Sequence, residues 1–320
     1  AHDRFARKLD MIDAEVHFAE TEQMLLVLQL TFVFSQWVSL LTLLRGSTLH
    51  LRGRFDAATV LHLLTGTPIT RVAVVPTMLR ALLPLIESGR DPPYRGVVMA
   101  GGEPLPAPLG RRLCALWPEL QLGDIYGLTE TGSCDFFVPP AEYAAAGGSI
   151  GRPGAGVEFR LDPMDSELQI KTPTIMRGYL DAPEATAASF VDGWLRTGDL
   201  ARMRSDGRVE LVGRSKDLIL RAGNKISPLE IERVFAEHAD VTGALAAGHS
   251  DPGKGEAVHL FVVPRDGAAI DEARLLDWAR ERLDRYKLPD RIHFGRELPV
   301  GPTGKADRQA LRDLIASGRL

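Results

Sequence analysis

The stretch that decides the fold runs from Gly193 to Glu230 and reads GWLRTGDLARMRSDGRVELVGRSKDLILRAGNKISPLE. Short strand-like runs alternate in it with glycine-containing turns, and the turns carry charged residues such as Asp199 and Arg214. Charged side chains on turns between short strands are typical of binding sites. The run DGRVEL also fits a plain hairpin that turns at Asp206-Gly207. The binding interpretation therefore concerns Asp199 and Arg214.

Before this stretch, helix-like and strand-like segments alternate. Helices are expected over about 5–20, from 55, and over 34–44, 77–87 and 108–116, and strands over 24–30, 47–51, 71–75, 96–103 and 122–126. Such alternation predicts an α/β fold with a parallel sheet. Sites in parallel sheets gather at the carboxyl ends of strands, and both AGGE (100–103) and IYGLTE (125–130) lie at such ends.

The pattern changes twice further along the chain. From Ser149 onward, short strands separated by turns predict a β-rich subdomain, and after Arg214 an α+β unit is expected. In that unit, Ser227, Pro228 and Glu230 match a helix start with a capping box. The predicted organisation is a partial large domain over 1–214, made of a sheet part (1–148) and a β-rich part (149–214), followed by a small C-terminal domain over 215–320.

Composition excludes several classes of protein. The chain has 320 residues, 45% of them hydrophobic and 25% charged, with a formal net charge of −4, which argues against a nucleic-acid partner. Cys114 and Cys134 show no metal-ligand spacing and suit a reducing cytoplasm. The apolar run over 24–44 is interrupted by polar residues, so we expect a buried strand and a core helix there and no membrane span.

Five motifs occur together in one order. Besides the stretch from Gly193, they are AGGEPL (100–105), DIYGLTETG (124–132), ELQIKTPTIMRGYLDAPEAT (167–186) and LPVGPTGKADR (298–308). In order and spacing the chain resembles the adenylate-forming enzymes, which include acyl- and aryl-CoA synthetases, peptide-synthetase adenylation domains and luciferases. The resemblance implies a large domain followed by a mobile lid domain. It also implies that the protein binds ATP or AMP, Mg²⁺ and coenzyme A.

The resemblance also implies roles for individual residues at the nucleotide. Gly102, Glu103 and Pro104 would stack on adenine, Asp124 would meet its amino group, and Tyr126 with Gly127 would lie at the base. Asp199 would accept hydrogen bonds from the ribose hydroxyls with help from Arg214; a structural ion pair between these two is the alternative.

Three residues are implied in catalysis. Thr129 would bind the α-phosphate, and Glu130 would be the magnesium ligand, as suits a hard cation that neutralises phosphate charge. Lys305, in Pro-Thr-Gly-Lys, would reach the carboxylate and the α-phosphate as a flexible point charge during adenylation. Glu130 could instead be a solvated loop charge, and Lys305 a surface lysine.

The remaining implied roles concern the hinge, the thiol path and the acid. Lys216 would be the hinge of the lid, Gly223 would border the pantetheine tunnel, and Lys225 would lie beside it, although both lysines also fit plain surface positions. Four residues would form the wall of the acid pocket: Phe32, Ala100, Gly101 and Leu128. As an aromatic residue, Phe32 would close the pocket by packing rather than by hydrogen bonding, and acyl, aryl and dicarboxylic acids all remain open as substrates.

These roles predict activation of a carboxylic acid to an acyl-adenylate, followed by thioester formation with coenzyme A. Loading of a carrier-protein phosphopantetheine arm is an alternative, and a luciferase-like oxidation is a weaker one. The family's phosphate loop, which ends in Pro-Lys-Gly, is not in this sequence, whose first residues AHDRF resemble the region after that loop. We therefore expect that a preceding segment is needed for activity, and a non-catalytic fragment is a further alternative.

Overall fold

The computed structural model describes residues 2–301 and 304–320 and divides the chain into two compact units. The first unit ends at Leu211 and the second begins at Val212. The sequence predicted the division after Arg214, whereas the structural division falls inside a single strand, Val209–Arg214. Mobility of the second unit stays a prediction.

The first unit contains a large α/β part and a smaller all-β part. Its helices are α1 (His2–Val16), α2 (Val33–Leu44), α3 (Ala57–Gly66), α4 (Pro76–Glu87), α5 (Ala107–Leu116), α6 (Tyr143–Ala146) and α7 (Pro183–Ala188). Its first seven strands are β1 (Gln23–Leu26), β2 (Thr48–Leu51), β3 (Arg71–Val74), β4 (Val97–Gly101), β5 (Gln121–Tyr126), β6 (Phe136–Val138) and β7 (Arg152–Pro153). These strands form one sheet in the order β2-β1-β3-β4-β5-β6-β7.

The sheet confirms the predicted parallel α/β architecture. Strands β2, β1, β3, β4 and β5 are mutually parallel, whereas β6 and β7 are added antiparallel. Separate hydrophobic clusters cover its two faces, which explains why β3 is buried at every position. The predicted strand over 24–30 is shorter than expected, because pairing with β2 and β3 stops at Leu26.

The apolar run over 24–44 forms β1 and α2, as predicted. The α2 residues Trp37 and Val38 are fully buried. Across residues 2–301 and 304–320, no helix combines the length and the apolar character that crossing a membrane requires.

An antiparallel sheet follows the large sheet, and its last strand contains the division between the two units. Its strands are β8 (Glu158–Leu161), β9 (Glu167–Lys171), β10 (Phe190–Val191), β11 (Trp194–Met203) and β12 (Val209–Arg214). The chain turns between β11 and β12 through Gly207, whose φ is +78°, so the hairpin interpretation of DGRVEL is confirmed. Strand β11 carries a bulge, because Thr197, Gly198 and Asp199 together stand opposite Leu168 alone between the paired residues Arg196 and Leu200.

The second unit has its own sheet and core. It contains β13 (Ile219–Arg221), β14 (Asn224–Ile226), β15 (Val241–Asp251), β16 (Gly255–Pro264) and β17 (Arg291–Phe294), with helices α8 (Pro228–Ala236), α9 (Glu272–Arg280) and α10 (Arg308–Ala316). The strand order is β14-β13-β16-β15, and β17 runs parallel to β16. One hydrophobic cluster packs under α8 and α9, and a smaller one contains Leu311 of α10.

The predicted capping box of α8 is wrong, although the helix begins at Pro228 as expected. The hydroxyl of Ser227 donates to the carbonyl of Val212, and the Glu230 carboxylate accepts from Lys287 Nζ at 2.8 Å. A Cβ on Gly213 would lie 2.6 Å from Ser227 Oγ. The serine hydroxyl is therefore used to fix the loop before the helix instead of the first turn of the helix.

Three half-buried histidines lie on one face of this sheet. His259 Nδ1 is 2.9 Å from His293 Nε2, and the centroid of the His249 ring is 5.6 Å from that of His259. Burial, followed by the neighbouring His293 and His249, lowers the pKa of His259 from 6.5 to about 4, although Asp290 opposes the shift. The folded unit therefore favours the neutral form of the His259 imidazole, which lies against His293.

We expect the free energy of unfolding of the second unit to fall in acid because of His259 and its neighbour His293. The unfolded chain takes up protons below pH 6.5 while folded His259 resists them down to about 4, so stability present at neutral pH is lost across that window. After discounting for solvent, the loss should be about 1 to 2 kcal/mol. Urea unfolding between pH 7 and 4 measures it. The variant His259→Gln/His293→Gln should flatten the profile, and the exposed His62→Gln should not; equal profiles for all three proteins would contradict the expectation.

Candidate active site

The glycine-containing motifs meet at the carboxyl edge of the large sheet. Strands β4 and β5 are parallel neighbours with Ala100 opposite Asp124 and Gly101 opposite Ile125. The loops that follow the two strands are therefore adjacent. A Cβ on Gly101 would lie 2.9 Å from the carbonyl oxygen of Ile125, so only glycine allows the strands to approach this closely here.

In the loop after β4, the side chain of Glu103 is hydrogen-bonded, and the residues on either side of it are exposed. The hydroxyl of Thr77 lies 3.0 Å from both carboxylate oxygens of Glu103, and Arg80 Nη1 lies 3.7 Å from one of them. Gly102 and Pro104 on either side are exposed. Of the three residues predicted to stack on adenine, Gly102 and Pro104 thus present an open surface, and Glu103 fixes the loop to α4.

The loop after β5 makes a 3₁₀ turn over Thr129–Thr131. A Cβ on Gly127 would lie 2.2 Å from the backbone nitrogen of Cys134, so the tight return of the chain requires glycine. Thr129 is exposed. Glu130 is half-buried and accepts a 2.7 Å hydrogen bond from the hydroxyl of Tyr179, which raises the pKa of that phenol.

Tyr179 contacts the predicted magnesium ligand Glu130, and the sequence analysis gave it no role. It is 42% exposed and lies in the stretch RGYLDAPEAT (177–186), which the resemblance included without a role for the tyrosine. The stretch sits against the loop after β5, because the backbone nitrogen of Met176 also donates to the carbonyl of Glu130 at 2.6 Å.

The structure joins two predicted site residues from different sheets. The hydroxyl of Tyr126 donates to Asp199 Oδ2 at 2.7 Å. Asp199 lies on the β11 bulge, and bulges commonly redirect a side chain towards a site. Glu167 holds the bulge, since its carboxylate accepts from the backbone nitrogen of Gly198 at 2.8 Å and from Arg196 Nε at 2.8 Å.

Electrostatics keep this contact in one state. Burial, together with the nearby Asp199 carboxylate, raises the pKa of Tyr126 well above its usual value. The phenol therefore stays protonated at neutral pH and acts as the donor. Asp199 itself is 1% exposed, so its carboxylate lies under the tyrosine in this structure.

Asp124 lies deeper than its predicted contact with adenine suggested. It is 6% exposed and accepts from the backbone nitrogen of Ile125 at 3.0 Å. Burial raises the pKa of its carboxyl group to about 8, so the group is mostly protonated at pH 7 and is able to donate a hydrogen bond as well as accept one.

The residues predicted to form the acid pocket differ in burial. Ala100 and Gly101 are buried and Leu128 is half-buried. The aromatic ring beside Gly101 belongs to Phe34, 3.3 Å from where a Cβ would lie, whereas Phe32 precedes the first residue of α2. The Phe34 ring stacks on Trp37 with centroids 5.3 Å apart. Phe34 is thus an aromatic neighbour of Gly101, and the role of Phe32 in the acid pocket stays a prediction.

A buried ion pair lies behind the loop after β5, and sequence reasoning did not find it. Lys8 Nζ of α1 lies 2.8 Å from Asp135 Oδ1, and both side chains are 0% exposed. Lys8 stands on a helix with several other charged residues, so a solvated position was the natural expectation. The only available signal was that its i+1 and i+4 neighbours, Leu9 and Ile12, are also core residues.

The remaining predicted residues belong to the second unit or to its boundary. Arg214, Lys216 and Lys225 are exposed, and Lys216 lies in a 3₁₀ turn over Ser215–Asp217. Ala222 and Gly223, with φ of +48° and +82°, form the two-residue turn of the β13–β14 hairpin. Whether Arg214 acts on the same ligand as Asp199 stays a prediction.

Backbone contacts join the described residues on the two sides of the Lys305 motif. The backbone nitrogen of Gly301 donates to the carbonyl of Lys305 at 3.0 Å, and Val300 bridges to Ala306. Gly304 has φ of +76°, and Lys305 is half-buried. Pro302 and Thr303 of the predicted motif lie outside the described residues.

The residues fit a magnesium ion only as part of a nucleotide complex. Within the described part of the chain, no group of three or more His, Cys, Asp or Glu side chains has the geometry to hold a metal ion. Mg²⁺ usually keeps several waters and binds through one or two carboxylates plus substrate phosphates. A single half-buried carboxylate such as Glu130, beside the exposed Thr129, suits that mode.

The chain is similar in sequence to curated ligases. The feruloyl-CoA synthase of Amycolatopsis sp is 36% identical over 284 residues, which cover 84% of this chain and 56% of that protein. The fatty acid–[acyl-carrier-protein] ligase ScoC of Streptomyces coeruleorubidus is 35% identical over 282 residues, covering 84% and 54%.

Solved structures show the same fold. The o-succinylbenzoate CoA synthetase (MenE) of Bacillus subtilis, solved with the acyl-adenylate OSB-AMP, superposes with a TM-score of 0.81 at 28% identity, covering 97% of this chain and 64% of that one. The same protein has been solved with ATP and magnesium ion. The chain thus spans between half and two thirds of the length of the proteins that it matches.

Family models match both structural units. The model of the AMP-binding enzymes matches residues 2–180, and that of the AMP-binding enzyme C-terminal domain matches residues 230–305. The first match includes the loops after β4 and β5, and the second begins at Glu230 in α8 and ends at Lys305. The chain belongs to the AMP-binding enzyme family of adenylate-forming proteins.

Proposed function

We propose that this chain is the part of an AMP-forming acid–thiol ligase that holds the adenylate and delivers the thiol. The observation that carries the proposal is the hydrogen bond between Tyr126 and Asp199 at 2.7 Å. It joins the motif of the large sheet to the motif of the β-rich sheet at the carboxyl edge, where α/β proteins bind ligands. Relatives that use feruloyl and o-succinylbenzoyl groups support the reaction class.

In the first step, a carboxylate oxygen of the acid attacks the α-phosphorus of ATP, and pyrophosphate leaves. Exposed Thr129 is assigned to the α-phosphate, and the exposed backbone of Gly102 and Pro104 to the adenine. Asp199 is assigned to the ribose, which requires Tyr126 to give up or share its hydrogen bond. Lys305 supplies positive charge where negative charge develops.

Magnesium would be held by Glu130, with Tyr179 fixing one carboxylate oxygen at 2.7 Å. When bound, the ion neutralises phosphate charge. The hydrogen bond from Tyr179 orients the carboxylate and leaves its second oxygen for the ion.

In the second step, a thiolate attacks the acyl carbon and AMP leaves. The turn at Gly223 is assigned to the thiol path, since no described atom beyond those of its two chain neighbours lies within 4 Å of the position that a Cβ would take and the turn leaves room for a thiol. Lys225 is assigned to the same path, and Lys216 to the hinge of the second unit. Coenzyme A is the first choice of thiol; the similarity to ScoC favours a carrier-protein phosphopantetheine as the second candidate.

For the acid, the ring of Phe34 against Gly101 supports a flat, apolar acyl group. The ring is supported from behind by Trp37, which is fully buried, so this wall is rigid. An aromatic acid of the hydroxycinnamate type therefore fits better than a flexible dicarboxylic acid.

Pyrophosphate exchange tests the proposal. The chain is assayed with Mg-ATP and a panel of ferulate, o-succinylbenzoate, a fatty acid and malonate, alone and together with the preceding part of the Amycolatopsis feruloyl-CoA synthase supplied separately. Exchange with an aromatic acid in either arrangement supports it. Thioester formation is then compared between coenzyme A and a holo-carrier protein. If neither arrangement exchanges pyrophosphate and the chain does not bind AMP, the protein is a non-catalytic fragment and the proposal is wrong.

A further inference from the structure

We propose that Lys8 and Asp135 are positioning residues: their buried ion pair sets the geometry of the loop that carries Thr129 and Glu130. The inference rests on the proposed function for its effect on nucleotide binding. The two residues are far apart in sequence, and none of the motifs discussed above contains either of them.

The aspartate ties together both ends of the loop after β5. One carboxylate oxygen of Asp135 accepts from Lys8 Nζ at 2.8 Å, and the other accepts from the hydroxyl of Thr131, the last residue of the 3₁₀ turn. The backbone nitrogen of Asp135 donates to the carbonyl of Tyr126 at 2.7 Å. The residue therefore links the end of β5 to the turn that presents Thr129 and Glu130.

The lysine supports the same loop from below. A Cβ on Gly132 would lie 3.1 Å from Lys8 Cγ, so the alkyl stem of the lysine packs under the turn. The nitrogen of Gly132 donates to the carbonyl of Thr129 at 3.1 Å, and the hydroxyl of Thr174 donates to the carbonyl of Thr131 at 2.8 Å. Movement of Lys8 would thus displace the 3₁₀ turn that carries Thr129 and Glu130.

The energetics favour a role in geometry over a role in stability. Burying both charges costs several kcal/mol per ion, and well-packed apolar residues in place of a buried pair are often neutral or stabilising. A pair that is 0% exposed on both sides is thus a weak source of stability. It does fix direction, because Asp135 is bonded from two sides and has little freedom to rotate.

The test replaces the whole pair, since a single replacement leaves one buried charge without its partner. Lys8→Met/Asp135→Leu is compared with wild type and with a matched control, Glu22→Gln/Arg71→Met. The control pair is also buried, with an N···O distance of 2.7 Å, but Arg71 begins β3 at the amino edge of the sheet, away from the loop.

Three quantities are measured on the full chain: the free energy of unfolding in urea, amide hydrogen exchange over 128–132, and the dissociation constant of ATP with and without Mg²⁺. We expect the Lys8/Asp135 variant to unfold at a urea concentration similar to that of wild type and to exchange its loop amides at least 10-fold faster. The factor by which Mg²⁺ tightens ATP binding should be about 10-fold smaller in this variant than in wild type. The control should keep wild-type loop exchange and the wild-type Mg²⁺ gain.

Each outcome decides something. Wild-type loop exchange in the Lys8/Asp135 variant overturns the inference, as does an equal loss of Mg²⁺ gain in both variants. If wild-type protein binds no ATP while loop exchange still rises only in the Lys8/Asp135 variant, the pair positions the loop as inferred and the proposed function is what fails.

Discussion

Replacing Lys8 alone by methionine should lower the free energy of unfolding by about 3 to 5 kcal/mol, because it leaves the Asp135 carboxylate buried without its cation. Asp135 is fully buried, so water cannot take the place of the ammonium group. Urea unfolding followed by tryptophan fluorescence at pH 7 measures the loss. Adding Asp135→Leu should recover most of it, and a double-mutant cycle gives the coupling.

The loss should depend on pH in a defined direction. Burial raises the pKa of Asp135 above 3.8 even though Lys8 opposes the shift, so removal of Lys8 raises that pKa further. The folded variant then binds a proton that the unfolded chain releases, and its stability falls as pH rises. The deficit relative to wild type should be smallest near pH 4 and largest at pH 7. A deficit that is independent of pH would mean that lost packing, and not the orphaned charge, causes it.

Replacing Lys305 by alanine should slow pyrophosphate exchange by about 100- to 1000-fold, the size seen when one group that stabilises developing charge is removed. The loss should appear in the turnover number more than in the apparent affinity for ATP, because the charge matters most as the α-phosphorus is attacked. Steady-state exchange with the best acid from the panel measures both.

The control for this prediction lies in the other half of the reaction. Lys225→Ala removes an exposed lysine from the hairpin at Gly223, and it should leave exchange within about twofold while slowing thioester formation. Conversely, Lys305→Ala should convert a supplied acyl-adenylate to thioester at nearly the wild-type rate. If both variants slow exchange equally, Lys305 has no special part in adenylation.

The sequence predicted the architecture because the responsible signals are local. Alternating helices and strands specify the parallel sheet, and β3 and β4 begin and end within a few residues of their expected positions. The glycines that allow close approach, such as Gly101 and Gly127, stand in short motifs that can be seen in one sequence. These motifs also indicated that the loops after β4 and β5 share one edge.

The contacts that organise the candidate site could not be predicted from short sequence motifs. The hydrogen bond from Tyr126 to Asp199 and the ion pair from Lys8 to Asp135 join residues 73 and 127 positions apart, and nothing in either neighbourhood indicates its partner. Ser227 shows the opposite error: its local pattern favoured a helix cap, and a tertiary contact with Val212 took the hydroxyl instead. The proximity of Phe34 to Gly101 was likewise not visible locally, because it depends on which side chain of α2 faces the sheet.

The bulge on β11 makes the strand tolerant of one kind of length change and intolerant of another. Three residues of β11 stand opposite one residue of β9, so β11 has two extra residues there. Because two is an even number, Leu195 before the bulge and Ala201 after it are buried on the same side of the strand. Excising two of the three residues would preserve the inside–outside alternation of every residue downstream. Excising a single residue would turn Ala201 to solvent and drive Arg202 inward.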